Sequence, residues 1–328
     1  MTDLLVLLLA AGAGSLIAIA LVLAIRGGLR RLFGPTLAYG AWIMVPAVIL
    51  AILVPARDDL SRMIPGVHHL LAYAGTVLAT LVISVSGWTA ALVGTWCGGM
   101  LLTAVVLYFA QVRFQRSLGT LTQRNGLWYA QRDDVSPGVV GCLRPMIVVP
   151  ADFDSRYTPD EQALILAHER THIRRGDLIA NAVWSAIQCL LWFNPLAHLA
   201  TSRYRFDQEL ACDATTLKNR SRFRRTYAAA LLKTLSLETT LPLGSSWQAI
   251  HPLKGRILSL QVRAMTPGRL GIGYALVVIV STGLALGAWD VRPANAYHAN
   301  AAARAHAAHL GIATVCPVPS NKSRSTST

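Results

Sequence analysis

His168 and His172 stand four residues apart in the run His168-Glu169-Arg170-Thr171-His172. On a helix that spacing puts both imidazoles on one face, one turn apart, where they can ligate a single cation. Glu169 beside them offers a carboxylate able to take a proton from water held by that cation. Alone the pattern is weak, since three fixed positions in five arise by chance and paired histidines on a helix are often only packed or solvated. A catalytic metal needs a third protein donor and leaves another position to water. Glu209, within Asp207-Gln208-Glu209-Leu210-Ala211-Cys212-Asp213, is the candidate. Asp213 falls one turn beyond it, suited to accept the other ring N–H of His168 or His172 and so orient it. The plainer alternative makes Glu209 and Asp213 a solvated acidic edge balanced by Arg203 and Arg205. Negative charge developing on a carbonyl oxygen calls for a donor besides the metal, and Tyr204, Arg203, Arg205 and His198 all qualify. His198 reads more simply as a structural or interfacial histidine.

Elements must deliver these side chains. Thr158-Pro159-Asp160-Glu161 is a helix start: Thr158 caps, Pro159 suits the first turn and Glu161 reaches back to close a capping box. The helix then runs to Gly176, a suitable stop. Residues 178–193 are nearly all apolar yet too short to span a bilayer, which fits a buried hairpin arm. Asn194-Pro195 turns the chain and brings the Glu209 helix back beside the His168 helix. Trp128-Tyr129 and two apolar arms around Leu143-Arg144-Pro145, namely Val139-Val140 and residues 146–149, predict short strands in a small sheet. A substrate chain is expected to add as a strand along an edge near residues 138–149, at Val139, Val140, Ile147 and Val148.

The surroundings are those of a membrane protein. Of 328 residues, 53% are hydrophobic and only 14% charged, which disfavours a soluble protein. The formal charge of +14 reads as basic residues gathered on the inner side of a bilayer, not as nucleic-acid binding, because Lys and Arg flank apolar runs. Spans are predicted at about residues 4–25, 36–54, 91–110 and 270–289, with Pro46 tolerated as a kink. Residues 69–87 read as interfacial or re-entrant. Asp3 before the first run and Arg26, Arg30 and Arg31 after it argue for a retained span, not a cleaved signal, with its N-terminus outside. Arg113, Arg116 and Arg124 after the third run, and Arg256, Arg263 and Arg269 before the fourth, put residues 111–269 in the cytoplasm as one inserted domain. Both termini are then extracytoplasmic. The tail, 290–328, is Ala-rich and then Ser-rich and reads as disordered, and its His298, His306 and His309 as incidental. Cys97, Cys142, Cys189, Cys212 and Cys316 form no Cys-x-x-Cys pair and read as reduced, buried thiols.

With these residues in view, the sequence resembles the BlaR/MecR-type membrane metallopeptidases, the family that includes bacterial β-lactam sensor-transducers. The likeness covers residues 29–46 (LRRLFGPTLAYGAWIMVP), 136–150 (SPGVVGCLRPMIVVP), 168–181 (HERTHIRRGDLIAN), 192–195 (WFNP), 209–213 (ELACD) and 254–260 (KGRILSL). It implies a mainly α membrane protein of four transmembrane helices, with an inserted α+β gluzincin-like zinc peptidase domain carrying a small sheet. It implies one Zn²⁺ per chain on His168, His172 and Glu209, Glu169 as general acid/base and Asp213 as the supporting carboxylate. It further implies, at the bacterial inner membrane, regulated cleavage of a cytoplasmic repressor or of the chain itself. With only about forty residues after Trp289, a β-lactam-sensing module is not expected. Two other readings stay open: a signalling scaffold without hydrolysis, and a quality-control protease of the HtpX type.

Overall fold

The computed structural model describes residues 2–54, 88–218, 220–235, 250–260 and 266–290. Helix α1 (Thr2–Phe33) is followed by α2 (Pro35–Gly40), a 3-10 turn at Ala41–Ile43 and α3 (Met44–Leu53). Gly34 joins the first two at φ 93 and ψ 167, a conformation open in practice only to glycine, and Pro35 starts α2 with a fixed φ. The 3-10 turn lies just ahead of Pro46, whose ring would press on the carbonyl of Trp42 in a regular α-helix. Gly14 lets α1 and α3 close up, for a Cβ there would meet Ile52 and Val48 at 2.9 Å. Helices α4 (Thr89–Ser117) and, near the end of the chain, α11 (Pro267–Asp290) complete the long apolar set.

Four helical stretches are thus long and apolar enough to cross a bilayer: Leu4–Phe33, Pro35–Leu53, Thr89–Ser117 and Pro267–Trp289. They overlap the four spans expected from sequence, and the protein is a mainly α membrane protein with a small β-sheet. The interfacial segment expected at 69–87 and the tail 291–328 lie outside the described residues.

Strands β1 (Thr122–Arg124), β2 (Leu127–Tyr129), β3 (Gly138–Val140) and β4 (Met146–Val149) form one sheet in the order β1-β2-β4-β3. β1 and β2 are an antiparallel hairpin on Asn125 and Gly126, both at positive φ, as an Asn-Gly turn requires. β2 pairs parallel with β4, and β3 antiparallel with β4. A short α5 (Phe153–Arg156) leads into α6 (Pro159–Arg175), α7 (Asp177–Leu190) and α8 (Pro195–Thr216). A 3-10 turn, Ser221–Phe223, precedes α9 (Arg224–Leu235), and α10 (Ile250–Ser259) comes before the last long helix.

The largest buried cluster joins the N-terminal hairpin to α7 and α8. Trp42, Met44 and Val45 pack there with Trp184, Ile187, Leu191, Ala197, Ala200 and Tyr204. Trp184 stacks flat on Tyr204 at 4.6 Å, and Trp42 meets both edge-on, at 5.2 and 5.9 Å. Burying each large apolar ring is worth roughly 1.5–3 kcal/mol. Asp207 of α8, 1% exposed, is drawn into the same seam by Arg26 at 2.6 Å and the indole N–H of Trp42 at 3.0 Å, with Arg30 at 3.8 Å. Smaller clusters pack Tyr129 and Val149 of the sheet against Ile165 of α6, and Leu164 of α6 against Tyr227 and Leu260. The cysteines depart from expectation. All four described are free, but Cys97 and Cys142 are exposed, Cys189 is half-buried and only Cys212 is fully buried. Cys97 lies on a helix long and apolar enough to cross a bilayer.

Candidate metal centre

Helix α6 begins as its sequence dictates. The Thr158 hydroxyl accepts from the Glu161 N–H at 3.4 Å, and the Glu161 carboxylate accepts from the Thr158 N–H at 2.9 Å. Burial alone would push the Glu161 carboxyl up, but the Lys233 ammonium at 2.6 Å and the Thr158 N–H outweigh it and hold it below the usual range. The helix stops at Gly176 in the left-handed region, φ 70, and α7 starts at once with Asp177.

Between those ends, His168 and His172 turn their Nε2 atoms toward each other at 3.1 Å. Glu209 of α8 brings one carboxylate oxygen to 3.4 Å from His168 Nε2 and the other to 3.6 Å from His172 Nε2. Two donors each about 2.0–2.1 Å from a tetrahedral ion lie about 3.3 Å apart, so these three side chains have the spacing of ligands around one divalent cation. The buried thiol of Cys212 also lies close, its Sγ and one nitrogen of each imidazole all within 4.8 Å of one another. The thiol donates to the His168 carbonyl at 3.4 Å.

The ring nitrogens are sorted by their other partners. The Tyr227 hydroxyl donates to Asp213 at 2.6 Å, so at 2.7 Å from His168 Nδ1 it must accept that nitrogen's proton. His172 Nδ1 faces an Asp177 carboxylate oxygen at 2.7 Å and donates to it. Both Nε2 lone pairs are thereby left for a cation. Burial disfavours charge on the two imidazoles, yet the thiol, Glu209 and Asp213 around His168, and Asp177, the thiol and Glu209 around His172, more than offset it. Each imidazole therefore holds a proton more readily than a free one. Burial pushes the Glu169 carboxyl up, with His168 and His172 opposing, so it holds a proton more readily than a free carboxylate. Burial would raise Glu209 as well, but Arg256 first and then the two imidazoles hold it well below its usual value.

Comparison with known proteins bears on this geometry. The profile of the BlaR1 peptidase M56 family matches residues 6–260. The chain belongs to that family. It is 31% identical over 104 residues to the regulatory protein BlaR1 of Bacillus licheniformis, covering 31% of this chain and 17% of that one. Over 100 residues it is 31% identical to the methicillin resistance mecR1 proteins of Staphylococcus aureus and Staphylococcus epidermidis, covering 30% of this chain and 17% of each of those. The matched stretch is thus a small part of those relatives' length. Membership of the M56 peptidase family implies a membrane metallopeptidase.

Several residues of this cluster were given no role by the sequence, although Asp177 and Arg256 lie within the stretches that resemble the family. Arg256 of α10 forks onto Asp213, Nε to Oδ2 at 2.9 Å and Nη2 to Oδ1 at 2.8 Å, while its Nη1 lies 3.1 Å from Glu209. Gly255 makes this reach possible, since a Cβ there would strike the Phe206 ring at 2.5 Å. Tyr227 comes from α9, and Asp177 was hidden behind the helix stop at Gly176, although its place directly after a left-handed glycine hinted at a return toward His172. Asp213 does face His168, at 3.4 Å. Of the expected oxyanion donors, Tyr204 is buried in the hairpin seam, where burial and Tyr39 push its phenol up, and its hydroxyl lies 3.4 Å from that of Tyr39. His198 is engaged at 2.8 Å with the Trp192 carbonyl. Arg203 and Arg205 are exposed. Of the expected edge residues, Val139 and Val140 lie on β3, an outer strand. Ile147 and Val148 lie on β4, which β2 and β3 flank on both sides, so within residues 138–149 only β3 offers an open edge to an added strand.

Proposed function

We propose that this M56 peptidase is a zinc-dependent endopeptidase in which His168, His172 and Glu209 hold the ion and Glu169 is the general base. The observation that carries the reading is the convergence of Glu209 on the paired imidazoles, at 3.4 and 3.6 Å, from a separate helix. With these three side chains as ligands, zinc when bound would supply Lewis acidity toward water and toward the scissile carbonyl. Glu169, with its raised proton affinity, takes the water's proton and passes it to the departing amine nitrogen. Tyr227, itself held by Asp213, and Asp177 keep both rings in the tautomer that presents Nε2, and Arg256 keeps Glu209 ionised. The substrate lies along β3 as an added strand, its main chain hydrogen-bonded.

The site sits at the arginine-rich end of α1, for Asp207, two residues before Glu209, is paired with Arg26. With basic residues marking the inner face, residues 111–269 act in the cytoplasm, and the substrate class is a cytoplasmic transcriptional repressor or the chain itself. The test is the Glu169→Gln protein, reconstituted in lipid with zinc and assayed on a repressor encoded nearby and on the chain's own self-cleavage. Cleavage slowed about 10²–10⁴-fold with zinc content unchanged is expected. Undiminished cleavage would end the proposal.

A further inference from the structure

The second candidate span reaches into the metal centre through one hydroxyl. Tyr39, at the end of α2, donates to Asp177 Oδ1 at 3.1 Å, and the other oxygen of that carboxylate holds His172 Nδ1 at 2.7 Å. The same hydroxyl accepts from the Gln208 amide at 2.9 Å. Gln208 precedes Glu209 on α8 and also donates to Asn181 of α7 at 3.1 Å. Thus a single atom of the N-terminal hairpin touches the support of one imidazole and the helix that carries the carboxylate. The ring is fixed independently, packed against Tyr204 at 5.6 Å and lying under the Arg175 guanidinium at 4.7 Å. Asp177 is 1% exposed, so water cannot readily replace a lost partner. Arg175 is its other charged neighbour, with Nε at 3.7 Å, beyond a good hydrogen bond.

We infer that Tyr39 is a positioning residue of the metal site: it fixes Asp177, and through Asp177 the orientation of His172, making the membrane hairpin part of the ligand set's support. The inference rests on the proposal that His172 binds the ion. Tyr39→Phe keeps the ring and removes only the hydroxyl, so the hairpin packing survives.

The experiment uses the full chain in lipid nanodiscs and measures zinc affinity by chelator competition and the visible spectrum of the cobalt-loaded protein. Tyr39→Phe is expected to weaken zinc binding about tenfold, the lower end of what loss of a ligand's partner costs, and to alter the cobalt bands. Tyr204→Phe, which removes a hydroxyl that among the described residues touches only that of Tyr39, is expected to stay within about twofold of the parent. A double-mutant cycle separates positioning from general packing. If Tyr39 acts through Asp177, its loss adds little once Asp177→Asn is present, whereas purely additive losses overturn the inference. A parent that binds zinc and a Tyr39→Phe protein that binds it equally well would overturn the inference and leave the zinc reading standing. A parent that binds neither zinc nor cobalt would sink both.

Discussion

His168 and His172 are one helical turn apart, yet they are braced from opposite parts of the molecule. His168 is held by Tyr227 of α9 and Asp213 of α8, with Arg256 of α10 behind them. His172 is held by Asp177 of α7, with Tyr39 of the membrane hairpin behind it. The first brace is a buried charge network in which Asp213 takes three hydrogen bonds, two from Arg256 and one from Tyr227. The second is a chain of single bonds ending in a neutral hydroxyl. The ionic brace has more to lose when one member is removed, while the bonded chain offers the only direct hydrogen-bonded route from hairpin to imidazole seen among the described residues.

Removing the anion from the first brace should be the most damaging change. Asp213→Ala strands the Arg256 guanidinium with Glu209 alone and is expected to cost about 3–5 kcal/mol, read as thermal unfolding in detergent. An equal loss from Asp177→Ala would erase the contrast. Asp177→Asn should lower zinc affinity about 10–100-fold while leaving the unfolding temperature closer to the parent's. Equilibrium competition for the ion decides that point. Gly255→Ala forces α10 off Phe206 and carries Arg256 away from its partners. A loss of about 1–2 kcal/mol in stability is expected, with weaker zinc binding, and crosslinking between α10 and α8 would report the displacement.

The smallest effect should come from a change outside both braces. Glu161→Gln removes the charge from the Lys233 pair at the far end of α6 while its amide oxygen can still accept from the Thr158 N–H, and about 1 kcal/mol of stability or less should go with zinc affinity unchanged. Because the folded carboxyl is held below its ordinary value, that stability is present at neutral pH and is lost as pH falls below about 4.3. Parent and variant melting curves should therefore converge in acid. A parent whose advantage persisted below that range would assign the effect to something other than the ionised Glu161.

What could be read from the chain alone was whatever depends on near neighbours. The four-residue period of His168 and His172, the cap at Thr158, the stop at Gly176 and the Asn194-Pro195 turn are local, and each recurs in the structure. Apolar length was enough to find the long helices, although α1 runs on past its arginines to Phe33 because those side chains find Asp207 and Phe206. The hairpin at Asn125 and Gly126 was missed despite an Asn-Gly turn, since its strand β1 is polar and fully exposed and so lacks an alternating pattern. The second supports were invisible for another reason. Tyr39 and Asp177 are 138 positions apart, and Tyr227 and His168 are 59 apart, so only the folded backbone says that they meet.

The tie between Arg26 and Asp207 has a mechanical meaning. Its carboxylate is sealed from solvent and two residues from Glu209, so sliding α1 along α8 would part a buried ion pair at a cost of about 3–5 kcal/mol. Over its 32 residues α1 therefore works as a stiff pushrod clamped to the helix that bears the carboxylate. A tug at its far end would arrive at Glu209 as displacement, with little slack taken up on the way.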